Sequence, residues 1–220
     1  MNRSSSKVLL TVGLLVLVSL SCSMLSSLAG SGELLKDDFS DSGSGWGTGT
    51  DSNKSVEYAS GGLQMQVFSK NYFIWSTPNK ESYDKVHMEV TVNNNGTDPT
   101  TAFGFMCYQQ TIDSSFYYFA ITPAGEYGIA KAAVAISDVF LTNNDQWAKS
   151  DLIAKNAPSY HMSADCGNGT LTLYVDGKQI ASVSDSTYTT GSVGLFTWSG
   201  EDAPSADVTF DDFVLTKLSQ

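Results

Sequence analysis

Residues that could perform acid–base or nucleophilic chemistry are few in this chain. Cleavage of a glycosidic bond requires two carboxylates that face one sugar across a cleft, and residues 86–92 carry only Glu89 on their polar face. His87 and His161 each fall on the polar side of a predicted strand, where a solvated surface role is the simplest interpretation. No Gly-x-Ser-x-Gly elbow and no metal-spaced histidine pair occur. Distant acids could still meet in the folded protein, and the candidates are Glu57, Glu126 and Glu201.

Acidic residues also occur as pairs, Asp37-Asp38 and Asp211-Asp212, at the two ends of the predicted domain. Strict alternation from Phe210 places Asp212 on an apolar strand face. A carboxylate on such a face must be paired, bound to a metal, or turned outward by a β-bulge. Two interpretations stay open: a calcium site, or charge at a sheet edge that discourages aggregation.

The first 30 residues predict export, and as a targeting segment they are not expected to form part of the folded domain. Arg3 and Lys7 precede an apolar run at residues 8–20 that is too short for an ordinary membrane span. Residues 19–22 resemble the lipobox of bacterial lipoproteins, in which Cys22 would become the lipidated N-terminus; Ser19 departs from the Leu or Val that this pattern prefers. The alternative is cleavage after Ala29. We therefore expect a signal peptide at 1–21, a flexible tether at 22–32 and one domain at 33–218.

Charge and cysteine content agree with export. The formal net charge is −11, and removal of the signal peptide takes away two basic residues and no acid. Without a concentrated basic surface, nucleic acid is not an expected partner, and polyanionic glycans and anionic lipids are disfavoured. Outside the leader, Cys107 and Cys166 remain, and an oxidising compartment makes a disulfide their default state; metal binding by two lone thiols is the weaker alternative.

The pattern of residues after the tether predicts an all-β domain. Aromatic and β-branched residues recur in short alternating runs separated by Gly, Pro, Ser, Asn and Asp. Residues 86–92 alternate most clearly, residues 116–121 are apolar on both faces and predict a strand covered on both sides, and Asp176-Gly177 predicts a two-residue hairpin turn. Residues 142–159 have no clear period and predict a long loop or short helix. About a dozen short strands indicate an antiparallel two-sheet sandwich or jelly roll.

Several of these segments together resemble a known family of folds, the bacterial concanavalin A-like jelly rolls. The similarity is greatest to 3-keto-disaccharide hydrolase-like domains and to laminarinase- or laminin G-like modules, and it extends over nearly all of residues 33–218. The residues that carry it are Asp38-Phe39-Ser40-Asp41 with Trp46, Gly104-Phe105-Met106-Cys107-Tyr108, Phe116-Tyr117-Tyr118-Phe119-Ala120-Ile121, Ala164-Asp165-Cys166, Leu171-Thr172-Leu173-Tyr174-Val175-Asp176-Gly177-Lys178, Gly194-Leu195-Phe196 and Phe210-Asp211-Asp212-Phe213.

The resemblance implies two kinds of site. Sugars bind such folds on aromatic rings beside amide, ammonium or carboxylate groups. The candidates for this site are Trp75, Tyr108, Gln109, Tyr118, Tyr127, Lys131 and Trp198. Related jelly rolls also often hold a structural Ca²⁺, for which the candidate ligands are Asp38, Asp41, Asp211 and Asp212. The Glu-x-Asp-x-x-Glu strand of laminarinase-like enzymes is absent from the sequence.

These observations favour a non-catalytic glycan-binding or surface-interaction module on the extracellular face of the cell envelope. Its partner would be a carbohydrate, and it would be held at the membrane by a lipid anchor alone, or else secreted. The alternatives are a hydrolase or lyase acting on oxidised disaccharides, and a structural envelope protein without a small-molecule ligand. A cleft holding two convergent acids would favour the enzyme.

Overall fold

Strands provide the regular structure in the part of the chain that the computed structural model describes, residues 32–111, 115–133 and 136–218. The predicted signal peptide, Cys22 and most of the predicted tether lie outside these residues. The described residues belong to one unit, and no helix within them has the length and apolar character needed to cross a membrane.

Sixteen strands form within the described residues, and all of the ladders between them are antiparallel. In chain order they are β1 Glu33–Asp37, β2 Gly49–Thr50, β3 Lys54–Ala59, β4 Gly62–Val67, β5 Phe73–Ser76, β6 Val86–Asn94, β7 Ala102–Gln109, β8 Phe116–Ile121, β9 Glu126–Ala133, β10 Ile136–Phe140, β11 Ala148–Lys149, β12 Ser159–Gly167, β13 Thr170–Val175, β14 Lys178–Ser184, β15 Ser192–Trp198 and β16 Ala206–Lys217.

The strands divide into two sheets. Sheet A has the order β14-β13-β12-β6-β16-β4-β3-β2, with β1 also paired to β16. Sheet B has the order β10-β9-β8-β7-β15-β5, with β11 also paired to β9. This arrangement is a two-sheet jelly-roll sandwich, so the predicted fold class is confirmed. The segment at 142–159, predicted to be a long loop or short helix, contains the short strand β11.

The core lies between the two sheets because each strand turns its large apolar residues to one face. In β6, Val86, Met88, Val90 and Val92 are buried, and the residues between them face away from the core. In sheet B, β7 and β8 contribute a matching set of large side chains to this core; they are Phe103, Phe105, Tyr117, Phe119 and Ile121.

The two sheets are joined covalently by the predicted disulfide, which the structure confirms. Cys107 of β7 and Cys166 of β12 are 59 residues apart in the chain, and their sulfur atoms lie 2.09 Å apart. Both side chains are fully buried in the core. The bond therefore ties the centre of sheet B to the centre of sheet A.

Trp46 closes one end of the core as a buried plug under the glycine-rich loop at 40–50. Its ring packs edge-on against Phe213 with 5.0 Å between centroids, and against Phe39 at 5.3 Å. Its indole Nε1 donates a 2.8 Å hydrogen bond to Oδ2 of Asp37. The buried carboxylate of Asp37 thus provides the hydrogen-bond acceptor that the buried indole N–H of Trp46 requires.

A β-bulge in β16 changes which face a residue occupies. In β16 an extra residue lies between the pairs Asp211–Thr91 and Val214–Glu89, and Asp212 takes a φ of 51° there. The bulge turns Asp212 to solvent and Phe213 into the core. The position that strict alternation gave to Asp212 was wrong, because alternation holds only while the register is unbroken.

Candidate functional site

The outer face of sheet B, which is turned away from sheet A, holds a groove of about 730 Å³. Strand alternation places a second group of apolar side chains here, separate from the main core. Residues of β5, β7, β8, β9, β10 and β15 contribute to the groove, together with residues on nearby loops. They are Asn71, Phe73, Trp75, Ala102, Phe116, Tyr118, Ala120, Ala132, Ala133, Ser137, Asp138, Phe140, Trp147, Phe196, Trp198 and Glu201.

Small side chains on the central strands give the groove its depth. Ala102 of β7, Ala120 of β8 and Ala132 of β9 line it. The residues next to Ala102 and Ala120 that point into the core are large, namely Phe103, Phe119 and Ile121. A methyl group projects less far from the sheet than the rings on the flanking strands. The central strands therefore form a floor between two aromatic walls.

The first wall is a continuous aromatic surface on β5 and β15. Phe73 stacks on Phe196 with 4.9 Å between ring centroids, and Trp75 lies 6.0 Å from Phe73. Phe73 also stacks on Phe116 of β8 at 5.9 Å, which extends the surface across the floor. Trp75 is 46% exposed and offers the most accessible ring in this row.

The second wall comes from Phe140 at the end of β10 and Trp147 in the following turn, whose rings are 5.3 Å apart. Phe140 lies directly over Gly128 of β9, where an added Cβ would come within 2.7 Å of the phenyl ring. The absence of a side chain at Gly128 therefore lets the second wall approach the sheet.

Polar groups lie between and beside the walls. The Tyr118 hydroxyl donates a 2.9 Å hydrogen bond to Oδ2 of Asp138, and the Trp198 indole donates a 3.1 Å bond to Oδ1 of Asn71. Asp138 is exposed as a whole residue, but its carboxyl group is partly buried, and this burial raises its pKa above the usual value, against the effect of the Tyr118 hydrogen bond. Burial likewise raises the pKa of Tyr118, whose hydroxyl stays a hydrogen-bond donor.

Three of the seven predicted sugar-binding residues meet in this groove, namely Trp75, Tyr118 and Trp198. The prediction that β8 is covered on both faces is confirmed, since Tyr118 and Ala120 on its outer face are buried as well as the core-facing residues. Its outer face also borders the groove through Phe116, Tyr118 and Ala120.

The other four predicted sugar-binding residues lie elsewhere. Tyr108 is buried in the main core, because β7 has one extra residue between Met106 and Gln109 and Tyr108 takes a φ of 56° at this bulge. Its hydroxyl donates to the backbone oxygen of Asp84, beside a smaller cavity of about 350 Å³. Gln109 accepts from the Ser192 hydroxyl at 3.3 Å, and Tyr127 packs against the main core.

Lys131 belongs to a structural contact at one end of sheet B. Its Nζ lies 3.0 Å from Oδ2 of Asp185, whose carboxylate also accepts a hydrogen bond from the Tyr117 hydroxyl. Burial works in the opposite direction, but hydrogen bonds from Thr187, Tyr117 and Lys131 hold the pKa of Asp185 well below its usual range. These contacts fasten the segment after β14 to β8 and β9.

Three of the four aspartates predicted to bind calcium accept local hydrogen bonds from the backbone, and the fourth, Asp212, is exposed. Asp38 accepts from the amide of Ser40, Asp41 from that of Gly43, and Asp211 from that of Asp212. Across the residues described, no three His, Cys, Asp or Glu side chains come together in a way that could hold a metal ion. Calcium binding by these residues stays a prediction.

A charged cluster occupies the outer face of sheet A, on β6, β12 and β13. His87 contacts Asp165 through Nδ1 at 2.5 Å and Glu89 through Nε2 at 2.9 Å, and the Tyr174 hydroxyl donates to Asp165 at 2.9 Å. His161 lies 3.7 Å from Glu89. The hydrogen bond to Asp165 is the main cause of a raised His87 pKa, and that to Glu89 adds to it, against the effect of burial. His87 is therefore part of an ion-pair network.

This network predicts a pH dependence of stability. A histidine whose pKa is raised on folding stabilises the protein fully below its unfolded pKa of about 6.5, and this contribution is lost as the pH rises through the folded pKa. We expect the free energy of unfolding to fall between mildly acidic and alkaline pH by about 1 kcal/mol more in the wild type than in His87→Gln. Urea unfolding at several pH values measures this, with His161→Gln as the control, since His161 is more exposed and farther from its acid. Identical pH profiles for wild type and His87→Gln would contradict the assignment.

Most of the groove was not predicted from sequence. The polar and aromatic residues missed are Asn71, Phe73, Phe116, Ser137, Asp138, Phe140, Trp147 and Phe196; the four alanines that line the groove were missed as well, and Glu201 was named only as a distant acid. One pattern could have indicated the groove: on the outer faces of β7, β8 and β9, small residues recur at 102, 104, 120, 128, 130 and 132, opposite large inward residues.

Comparison with known proteins identifies similar folds but no family. Neither a family model nor a curated protein sequence matches this chain. Among solved structures, the carbohydrate-binding module CBM66 from Bacillus subtilis is 16% identical with a TM-score of 0.58, and the match covers 79% of this chain and 96% of the module.

Two further solved structures are similar over most of their length. A Bacillus subtilis protein of unknown function with a galectin-like fold has a TM-score of 0.62 at 11% identity, over 84% of this chain and 96% of that protein. The Bacillus licheniformis β-glucanase has a TM-score of 0.55 at 12% identity, over 87% of this chain and 100% of the enzyme. At these identities the likeness concerns the fold, and it supports the predicted concanavalin A-like jelly roll.

Proposed function

We propose that this chain is an exported, lipid-anchored glycan-binding module, and that the sugar lies in the groove on the outer face of sheet B. The export and anchoring parts of this proposal rest on the sequence of residues 1–22. The binding part rests on one observation: aromatic rings on β5, β8 and β15 line an open groove whose floor is made of alanines.

The geometry suits a sugar because pyranose rings present C–H groups on their faces and hydroxyls at their edges. C–H faces pack on aromatic rings, and hydroxyls require nearby hydrogen-bonding groups. Trp75 and Trp198 offer ring surface in the groove, while Asn71, Ser137 and Asp138 offer amide, hydroxyl and carboxylate groups. The groove volume of about 730 Å³ lies in the usual range for small-ligand sites.

The similar solved structures support this proposal at the level of the fold. One is a carbohydrate-binding module and another is a β-glucanase by name. Because fold does not determine function, the proposal of sugar binding depends on the aromatic residues that line the groove, and the similar solved structures are additional support.

We expect the purified domain, residues 33–220, to bind a class of oligosaccharide on a glycan array. Trp75→Ala should weaken that binding by about tenfold or more, because an exposed aromatic platform is removed. Phe68→Ala is the matched control, since Phe68 is 47% exposed, close to the 46% of Trp75, and does not line the groove. Isothermal titration of the best array ligand gives the affinities.

Two results would contradict the proposal. One is the absence of binding to any oligosaccharide, with calcium or with a chelator. The other is equal loss of affinity in Trp75→Ala and Phe68→Ala, which would place the sugar outside the groove. A requirement for calcium in the same experiment would support the predicted aspartate site.

Hydrolysis of a glycosidic bond is a second candidate function, favoured by the two acids that line the groove, Asp138 and Glu201. Partial burial raises the pKa of Asp138, which is the direction needed in a general acid. Reducing-end assays on the oligosaccharides that bind distinguish the two functions. Product formation that is lost in Asp138→Asn would establish the enzyme.

A further inference from the structure

The charges around the groove are of one sign. Among the described residues that line it, Asp138 and Glu201 are the acids, and there is no Lys, Arg or His. Lys131, the basic residue predicted for the site, is instead held by Asp185. A groove lined by carboxylates and by no basic side chain attracts positive groups and repels negative ones.

The aromatic walls of the groove also favour a positively charged ligand. The faces of Trp, Tyr and Phe rings carry partial negative charge, so a cation within about 6 Å of a ring centroid is attracted to it. Phe73, Phe116, Tyr118 and Phe196 form a connected ring surface, with centroids 4.9 to 6.3 Å apart. Asp138 is bonded to this surface through the Tyr118 hydroxyl. A bound ammonium group could therefore contact a ring face and a carboxylate together.

We propose that the groove selects amino sugars with a free ammonium group over their N-acetylated counterparts, and that it excludes sugars bearing carboxylate or sulfate groups. This inference rests on the proposed function and specifies the ligand class of the same site. The selecting groups are Asp138, Glu201 and the ring faces beside them. The aromatic walls supply affinity that is common to all three sugar classes.

The test compares three hexasaccharides with the purified full-length chain: deacetylated chitosan, N-acetylated chitin and oligogalacturonate. The first two share one backbone and differ only at nitrogen, which carries an acetyl group in chitin and a positive charge in chitosan. The salt dependence of their affinity ratio and its loss in acid-to-amide variants then separate the effect of charge from that of the acetyl group. At mildly acidic pH, where the sugar amine is protonated, we expect chitosan to bind about fivefold more tightly than chitin, and galacturonate more weakly than either. The ratio should fall as salt is added.

The Asp138→Asn/Glu201→Gln double variant should remove the preference for chitosan over chitin, whereas Glu57→Gln, on sheet A, should keep it. Equal affinity for chitosan and chitin in the wild type, or galacturonate binding as tight as chitin, would overturn the inference and leave the proposed function standing. Absence of binding to all three hexasaccharides and to every sugar on the glycan array would overturn both the proposed glycan-binding function and the preference for amino sugars.

Discussion

Removal of the Cys107–Cys166 disulfide is expected to cost about 4 kcal/mol of folding free energy. The bond closes a loop with a sequence separation of 59 residues, and a loop of that length loses this much chain entropy when it is cross-linked in the unfolded state. For a domain of this size the loss corresponds to a fall in Tm of about 8–16 °C. The Cys107→Ala/Cys166→Ala variant, followed by thermal and urea unfolding, measures the effect.

The same variant separates the cross-link from the packing of the two side chains. Both cysteines are fully buried, so the alanines also remove sulfur atoms from the core. Reduced wild-type protein lacks the bond and keeps the sulfurs, which makes it the matched control. A Tm for reduced wild-type protein that equals that of the oxidised protein would show that the cross-link contributes nothing.

The second large effect is expected from filling the groove. Ala132 lines the floor with 9% of its surface exposed, and Ala132→Trp would place an indole where the sugar is proposed to lie. We expect oligosaccharide affinity to fall on the order of 100-fold, equivalent to about 2.7 kcal/mol. Ala132→Ser, which is nearly the same size as alanine, should keep affinity within about twofold.

Circular dichroism and Tm show whether the Ala132→Trp variant remains folded. A folded Ala132→Trp protein that binds sugar as tightly as wild type would place the ligand elsewhere. Loss of affinity in Ala132→Ser as well would indicate that the position matters for folding, not for space in the groove.

The fold was predictable because alternation along single strands reports the buried face directly. In β6 the residues Val86, Met88, Val90 and Val92 alternate with polar neighbours, and the structure buries these four. The hairpin at Asp176-Gly177 was also predictable, since both residues take positive φ values of 49° and 72° in a two-residue turn.

The candidate site was predictable only in part, because it depends on register and on contacts between distant strands. Tyr108 should have shared a face with Met106, but the bulge in β7 turns it into the core. Asp138 comes to Tyr118 only through the pairing of β9 with both β8 and β10. Local sequence contains neither the position of a bulge nor the order of strands in a sheet.

Sugar binding in the groove of sheet B can be tested directly with the four tryptophans of the chain. Trp75, Trp147 and Trp198 line the groove, whereas Trp46 is buried at the end of the core beside Asp37. Indole ¹⁵N–¹H NMR spectra, assigned with single Trp→Phe variants, should be recorded during titration with the best array ligand. We expect saturable shifts of the Trp75, Trp147 and Trp198 indole signals with an unchanged Trp46 signal. Binding that leaves the three groove signals in place would contradict sugar binding in this groove.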